Sequence, residues 1–231
     1  MKKLLTLSAA LLAASLFFTA CSNPSGGDNG GGKLPGTWTS NVQYANDYSS
    51  EGWTRNRNVI KYNLTNPSSL GLSQNQASNQ WLIYSRDSVY GFKAKIKQNK
   101  HTDGEYGFYF LVNDKGTESV SDDSGYQLTF WQNSYILRKV LNGTTTCLSL
   151  NGGYANVIND AIKKEGQENE VIVYSEGNNL IIKVNGTEIW RGARELEAGT
   201  CNAFVRIPYS VQQNNIKFTT DFTIVEFQTS K

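Results

Sequence analysis

Residues Glu170–Trp190 read EVIVYSEGNNLIIKVNGTEIW, and this stretch decides the fold. It holds three short runs of β-branched and aliphatic residues, separated by Gly177-Asn178 and Asn185-Gly186. An Asn-Gly pair supplies the two positive φ angles of a type I′ turn, whose twist matches that of the strands it joins. Such a turn sets Val184 opposite Thr187, Lys183 opposite Glu188, Ile182 opposite Ile189 and Ile181 opposite Trp190. Side chains alternate along a strand, so Leu180, Ile182, Val184 and Ile189 share a buried face while Lys183, Glu188 and Trp190 point the other way. A turn at Gly177-Asn178 folds the preceding run back likewise, bringing Val173 over Ile182 and Tyr174 beside Ile181.

The same period of two runs outward from this point. In GFKAKIKQ, Phe92, Ala94 and Ile96 alternate with Lys93, Lys95 and Lys97. Further on, Tyr106, Phe108, Phe110 and Val112 alternate with Gly107, Tyr109, Leu111 and Asn113. Tyr126, Leu128 and Phe130 alternate with Gln127, Thr129 and Trp131; after a turn near Asn133, Leu137 joins the apolar set and Arg138 the polar one. Alternation of this kind marks antiparallel sheets with one face on the core and one in water. Strands are expected at about 57–64, 80–86, 88–97, 105–113, 125–131, 134–141, 170–175, 179–184, 187–190, 202–207 and 216–228. That is more than one open sheet holds comfortably, so two packed antiparallel sheets are expected. Only Asn156–Lys164, NVINDAIKK, could form a short helix.

The beginning of the chain follows a different logic. Lys2 and Lys3 precede an apolar run from Leu4 to Phe18, then Thr19, Ala20 and Cys21, which is the order of a signal peptide over residues 1–20. The run is about 15 residues long, short of the roughly 20 that span a bilayer as a helix. Phe18-Thr19-Ala20-Cys21 resembles the bacterial lipobox, with Phe18 where leucine is usual, so Cys21 is expected to carry a lipid and anchor the protein to a membrane. Ser22, where an aspartate would retain such a protein at the inner membrane, resembles an outer-membrane sorting signal. Ser22–Lys33 is Gly-rich and almost without apolar residues, so residues 21–33 form a lipidated tether spanning about 19 Å, and residues 34–231 one domain.

Removing Lys2 and Lys3 from the 22 Lys and Arg leaves as many basic residues as the 20 Asp and Glu, so the mature chain carries no basic excess and no nucleic-acid partner is expected. Cys147 and Cys201 are the remaining cysteines. In the oxidising compartment of an exported chain the pair can form a disulfide, the alternative being two buried thiols. The Asn-x-Thr triplets at Asn63, Asn142 and Asn185 mean little beside a bacterial export signal.

The ordered series GFYFLV, GYQLTFW, YILRKVLNG, NEVIVYSEGNNLIIKVNGTEIW, AGTCNAFVRI and FTTDFTIVEF resembles the concanavalin A-like lectin and glucanase sandwiches, especially their laminin-G-like and 3-keto-disaccharide-hydrolase-like branches. The resemblance covers roughly Val89–Phe227. It implies a two-sheet jelly-roll whose sheet face binds an oligosaccharide or polysaccharide, and it admits hydrolases or lyases acting on saccharides. Glycosidases of that fold carry Glu-x-Asp-x-x-Glu on one strand, because one carboxylate attacks while another protonates the leaving oxygen. No such triplet occurs here. Glu195 and Glu197 come nearest and read as solvated turn charges. His101 is the single histidine and sits in the polar KQNKHTDGE turn, so neither a Ser-His-Asp triad nor a multi-histidine zinc site is expected. Asp114, Glu118, Asp122 and Asp123 crowd one loop and could hold calcium, without the fixed spacing of a recognised site, so no cofactor is expected.

Sugar recognition needs aromatic faces for the C–H side of a pyranose and amide, hydroxyl or guanidinium groups for its hydroxyls. The outward residues supply both: Tyr109, Gln127, Trp131, Arg138, Tyr174, Lys93 and Lys95, with Thr129, Lys183 and Trp190. The alternative for the aromatics is burial beneath loops. The expectation is a membrane-anchored, non-enzymatic glycan binder or adhesin; a saccharide-active enzyme and a protein-docking module of the envelope are the other readings.

Overall fold

A computed structural model of the chain describes residues 38–39, 49–50, 53–56, 59–64, 66, 70, 72–74, 77–101, 104–113, 123–150 and 156–230. The chain divides into Met1–Lys33 and Leu34–Lys231, and every described residue belongs to the second unit. The signal segment, Cys21 and the tether, together with Asp114, Glu118 and Asp122 of the acidic loop, lie outside the described residues.

The described residues form strands β1 (Trp38–Thr39), β2 (Ser49–Ser50), β3 (Trp53–Asn56), β4 (Val59–Leu64), β5 (Ala77–Val89), β6 (Gly91–His101), β7 (Glu105–Asn113), β8 (Ser124–Trp131), β9 (Ser134–Leu141), β10 (Thr144–Cys147), β11 (Val157–Ile158), β12 (Glu168–Glu176), β13 (Asn179–Val184), β14 (Thr187–Ala193), β15 (Gly199–Pro208) and β16 (Phe218–Ser230), with one helical turn and a half, α1 (Tyr209–Gln213). They build two antiparallel sheets. The larger runs β14-β13-β12-β6-β16-β4-β3-β2, with β1 also on β16; the smaller runs β10-β9-β8-β7-β15-β5, with β11 also on β9. Among the described residues no helix is long and apolar enough to cross a membrane.

The sheets pack on the apolar sets that the alternation marks. Phe92, Ala94, Ile96, Val171, Val173, Leu180, Ile182 and Val184 of the larger sheet meet Tyr106, Phe108, Phe110, Tyr126, Leu128, Phe130 and Leu137 of the smaller one in a single core. Aromatic rings bridge the layers: Phe92 lies 4.6 Å from Phe108, and Tyr106 lies 5.7 Å from Phe222. The Tyr135 hydroxyl donates to the Ile189 carbonyl at 2.7 Å, tying β9 to β14. The fold is therefore the expected two-sheet jelly-roll sandwich.

Local departures have identifiable causes. Asn185 and Gly186 take φ of 50° and 83°, and Val184 faces Thr187 and Lys183 faces Glu188 as the turn requires. The register then slips between Ile182 and Lys183, so that Ile182 faces Trp190 and Ile181 faces Arg191. That bulge turns Trp190 inward. Its ring packs on the core, its Nε1–H donates to the Leu148 carbonyl at 3.2 Å, and it lies over Gly192, where a Cβ would come within 2.5 Å of the ring. A second bulge in β7 puts Leu111 at φ 50°, so Leu111 follows Phe110 into the core and Val112 takes the outer side.

The segment Asn156–Lys164 is not a helix. Asn159 Oδ1 accepts from the Ala161 amide at 3.0 Å, and the Lys163 amide donates to Asn169 Oδ1 at 2.8 Å, so side-chain acceptors take amides that a helix would use. The helix forms instead after Pro208, whose φ of −72° suits a helix start. There Gln212 clamps Leu72, accepting from its amide at 2.7 Å and donating to its carbonyl at 2.9 Å.

Cys147 and Cys201 are buried free thiols, not a disulfide. The strand order explains this. Three strands separate β10 from β15, which places the two at about 19 Å by strand spacing, whereas a bridge needs Cα atoms within about 7 Å.

Candidate functional site

The outward residues divide between two opposite faces, so they do not form one site. Lys93, Lys95, Tyr174 and Lys183 stand on the outer face of the larger sheet, where charges alternate across strands: Lys93 Nζ lies 3.0 Å from Glu170 Oε2, and Lys95 faces Glu170 in register. Tyr174 is buried with Ile172 and Ile181, and the Lys183 ammonium sits 5.7 Å above its ring. These contacts account for all four residues as a self-satisfied sheet surface.

Tyr109, Gln127, Trp131 and Arg138 stand on the outer face of the smaller sheet, and there the expectation of a wetted face fails. Tyr109, Gln127, Thr129, Ile136, Arg138, Asn202 and Phe204 are all buried. The Tyr109 ring lies over Gly125, whose added Cβ would come within 2.5 Å of it, and sits 5.9 Å from Phe204. Tyr109 and Gln127 are thus closed to a ligand.

What crosses this face is a polar rail. Arg138 on β9 lies one strand from Thr129 on β8, which faces Gly107 on β7, and Glu105 stands two residues beyond Gly107 toward the sheet end. The Arg138 guanidinium reaches diagonally along that path and donates from Nη1 to Glu105 Oε2 at 2.6 Å and to Thr129 Oγ1 at 3.1 Å, and from Nη2 to Glu105 Oε1 at 2.9 Å. Thr129 donates to Glu105 Oε2 at 2.5 Å, and Arg206 of β15 donates to Oε1 at 3.2 Å from the far side. Each carboxylate oxygen thus accepts twice, which fills its lone pairs. Burial pushes the Glu105 carboxyl up, but the Arg138 hydrogen bond and charge, with Arg206 and Thr129 behind them, outweigh it and hold the group ionised below the usual carboxylate range. Arg138 keeps a buried Nε–H without a partner.

The rail ends at the rim of the sheet. Tyr106 faces Phe130, so one step on Glu105 stands level with Trp131, which faces Ser134, which faces Ile158. Trp131 is 36% exposed and Ile158 72%. A pocket of about 250 Å³ opens here, lined by Gly104, Glu105, Trp131, Asn156, Pro208 and Ser210. Of the expected site residues only Trp131 lines it, and Arg138 stands behind it. Glu105 was legible as the first outward residue of its strand, in phase with Gly107 and Tyr109. Asn156 comes from an irregular segment and Ser210 from the short α1, neither of which a period marks.

The remaining candidates are occupied elsewhere. Glu195 Oε2 pairs with Lys139 Nζ at 2.5 Å, and its amide donates to the Tyr126 hydroxyl at 2.9 Å. Asp123 is buried at the edge of the acidic loop, and among the described residues no group of three His, Cys, Asp or Glu could hold a metal ion.

No family model matches the chain, and no curated protein matches it in sequence. Solved structures do match. The carbohydrate binding module CBM66 from Bacillus subtilis aligns at 12% identity over 84% of this chain and 95% of its own, with a TM-score of 0.49. Bacillus licheniformis β-glucanase aligns at 12% identity over 87% and 95%, with a TM-score of 0.48. Sheep galectin-11 aligns at 11% identity over 68% and 98%, with a TM-score of 0.42.

Proposed function

We propose that this protein is a lipid-anchored carbohydrate-binding protein of the bacterial envelope, most simply of the outer membrane, that takes its sugar in the pocket beside Trp131. The observation carrying the reading is the juxtaposition of a half-exposed indole with a preorganised polar wall around a cavity of about 250 Å³. The indole offers a face to the apolar side of a sugar ring, while Asn156 and Ser210 offer groups able both to donate and to accept. The anchor rests on the lipobox-like residues ending at Cys21 and the Gly-rich tether.

Binding is favoured over turnover by the state of Glu105. It is the one carboxylate among the described residues lining the pocket, and its oxygens are filled by Arg138, Arg206 and Thr129. An ionised, saturated carboxylate neither delivers nor accepts a proton at a glycosidic oxygen, and among the described residues no second acid lines the pocket. Glycan-array binding by the detergent-extracted full chain tests the reading, with reducing-end release on the retained glycans as control. Retention without release, lost in Trp131→Ala, supports it; release of reducing ends makes the protein an enzyme, and retention of envelope proteins alone makes it a docking module. Cys21→Ser should abolish labelling by a fatty-acid analogue, and equal labelling of variant and parent would remove the anchor.

A further inference from the structure

We infer that the pocket takes the terminal residue of a glycan, end-on, and not the interior of a polysaccharide chain. This rests on the carbohydrate reading above and adds the class of ligand. A polymer held through its interior needs an open path on both sides of the bound ring. The outer face of the smaller sheet gives none. Inward from the pocket the next rows across the strands are Phe204, Gly107, Thr129 and Ile136, then Asn202, Tyr109, Gln127 and Arg138, and their large and polar side chains are all buried. Glu105 and Trp131 mark the last row, where the sheet ends.

Among the described residues the other walls come from the same end of the sheet. Pro208 and Ser210 stand where β15 passes into α1, and Asn156 stands just before β11. The space of about 250 Å³ is below the roughly 300–1,000 Å³ of sites for drug-sized ligands, and suits one ring. The way out runs past Trp131 toward the exposed Ile158 of β11, which lies level with it beyond the buried Ser134. A glycan entering by its end stacks its terminal ring on Trp131 and leaves its remaining residues on that open side. Because the lone pairs of Glu105 are filled from within the protein, acceptors for the ring's hydroxyls come from Asn156 and Ser210, which makes these two the specificity-determining residues.

The test uses the detergent-extracted full chain and the fluorescence of its tryptophans. It is titrated with maltose-, cellulose-, chitin-, mannose- and fructose-type oligosaccharides, each as a length series from the free monosaccharide to the polymer. End-on binding makes the dissociation constant constant per mole of chain, so that affinity by mass falls in inverse proportion to length, and the monosaccharide competes fully. Trp131→Ala weakens binding about tenfold or more, the loss expected of a central aromatic contact. Asn156→Ala and Ser210→Ala change which sugar of the panel is preferred. Affinity that holds or rises by mass with length, with a monosaccharide that fails to compete, overturns the end-on inference while leaving carbohydrate binding standing. No response to any series overturns the inference together with the carbohydrate reading beneath it.

Discussion

Arg138 lies bidentate on Glu105 across two strands, with Nη1–Oε2 at 2.6 Å and Nη2–Oε1 at 2.9 Å, and both groups are largely removed from water. A pair of this kind is not a large net source of stability, but removing one partner leaves the other charge buried and uncompensated, which costs about 3–5 kcal/mol. Glu105→Gln should destabilise the fold in that range. The pH dependence has a definite sign. Folding holds Glu105 below its unfolded value, so its contribution is fully present above the unfolded value and is lost as pH falls through the lowered folded one. Melting temperature followed from neutral pH into acid should fall more steeply in the parent than in Glu105→Gln; parallel curves would show that the rail adds nothing to acid stability.

The faces of the sandwich were legible in the sequence because a period of two depends only on which residues are apolar. What the period does not carry is the identity of the sheet. Lys93 and Trp131 both read as outward, and they are outward on opposite sides of the molecule. The Asn185-Gly186 turn was legible because its φ angles demand those residues, yet its register held for only two pairs before the bulge that turns Trp190 inward. Leu111 escaped for a related reason: nothing about a leucine announces a φ of 50°. Gln127, Thr129 and Arg138 read as wetted because they are polar. They are buried beside neighbouring strands, and the pairing that satisfies Thr129 and Arg138 depends on β7 lying next to β8, not on any local motif.

The thiols give a second test. Cys147 and Cys201 should titrate as two free groups in denatured, unreduced protein, and reductant should leave the melting temperature unchanged. In the folded protein Cys201 should resist alkylation, since burial pushes its thiol far up and closes it to reagent. A single oxidised pair in denatured protein would contradict the strand order that separates them.

Asn185 latches the segment that follows β11. Its Nδ2 donates to the Ala161 carbonyl at 2.6 Å and to Asn169 Oδ1 at 2.8 Å, while its Oδ1 accepts from the Glu170 amide at 2.9 Å. Asn185→Asp keeps the shape and the tolerance for positive φ but turns two donations into contacts between acceptors. A loss of about 1–3 kcal/mol is expected. Hydrogen exchange should quicken at the Ile162 and Lys163 amides before the strands of the core respond. Exchange unchanged at those amides would mean that the latch does not hold the segment.

Phe130 and Trp131 are neighbours in the chain and point to opposite faces of β8. Phe130 is in the core between the sheets, its ring 6.1 Å from that of Tyr106, whereas Trp131 is 36% exposed at the pocket. Truncating the first opens a cavity in a packed interior, so Phe130→Ala should cost about 3–5 kcal/mol. Truncating the second removes a ring already in contact with water, and Trp131→Ala should stay within about 1 kcal/mol of the parent. Both values come from denaturant unfolding and need no ligand, so they can be measured before any sugar is identified. The comparison bears directly on function, because a ring that contributes little to stability while it stands exposed beside a polar wall is free to serve as a binding platform. A Trp131→Ala variant as unstable as Phe130→Ala would make the indole a structural element of the sheet end and remove the residue on which both the carbohydrate reading and its end-on form depend.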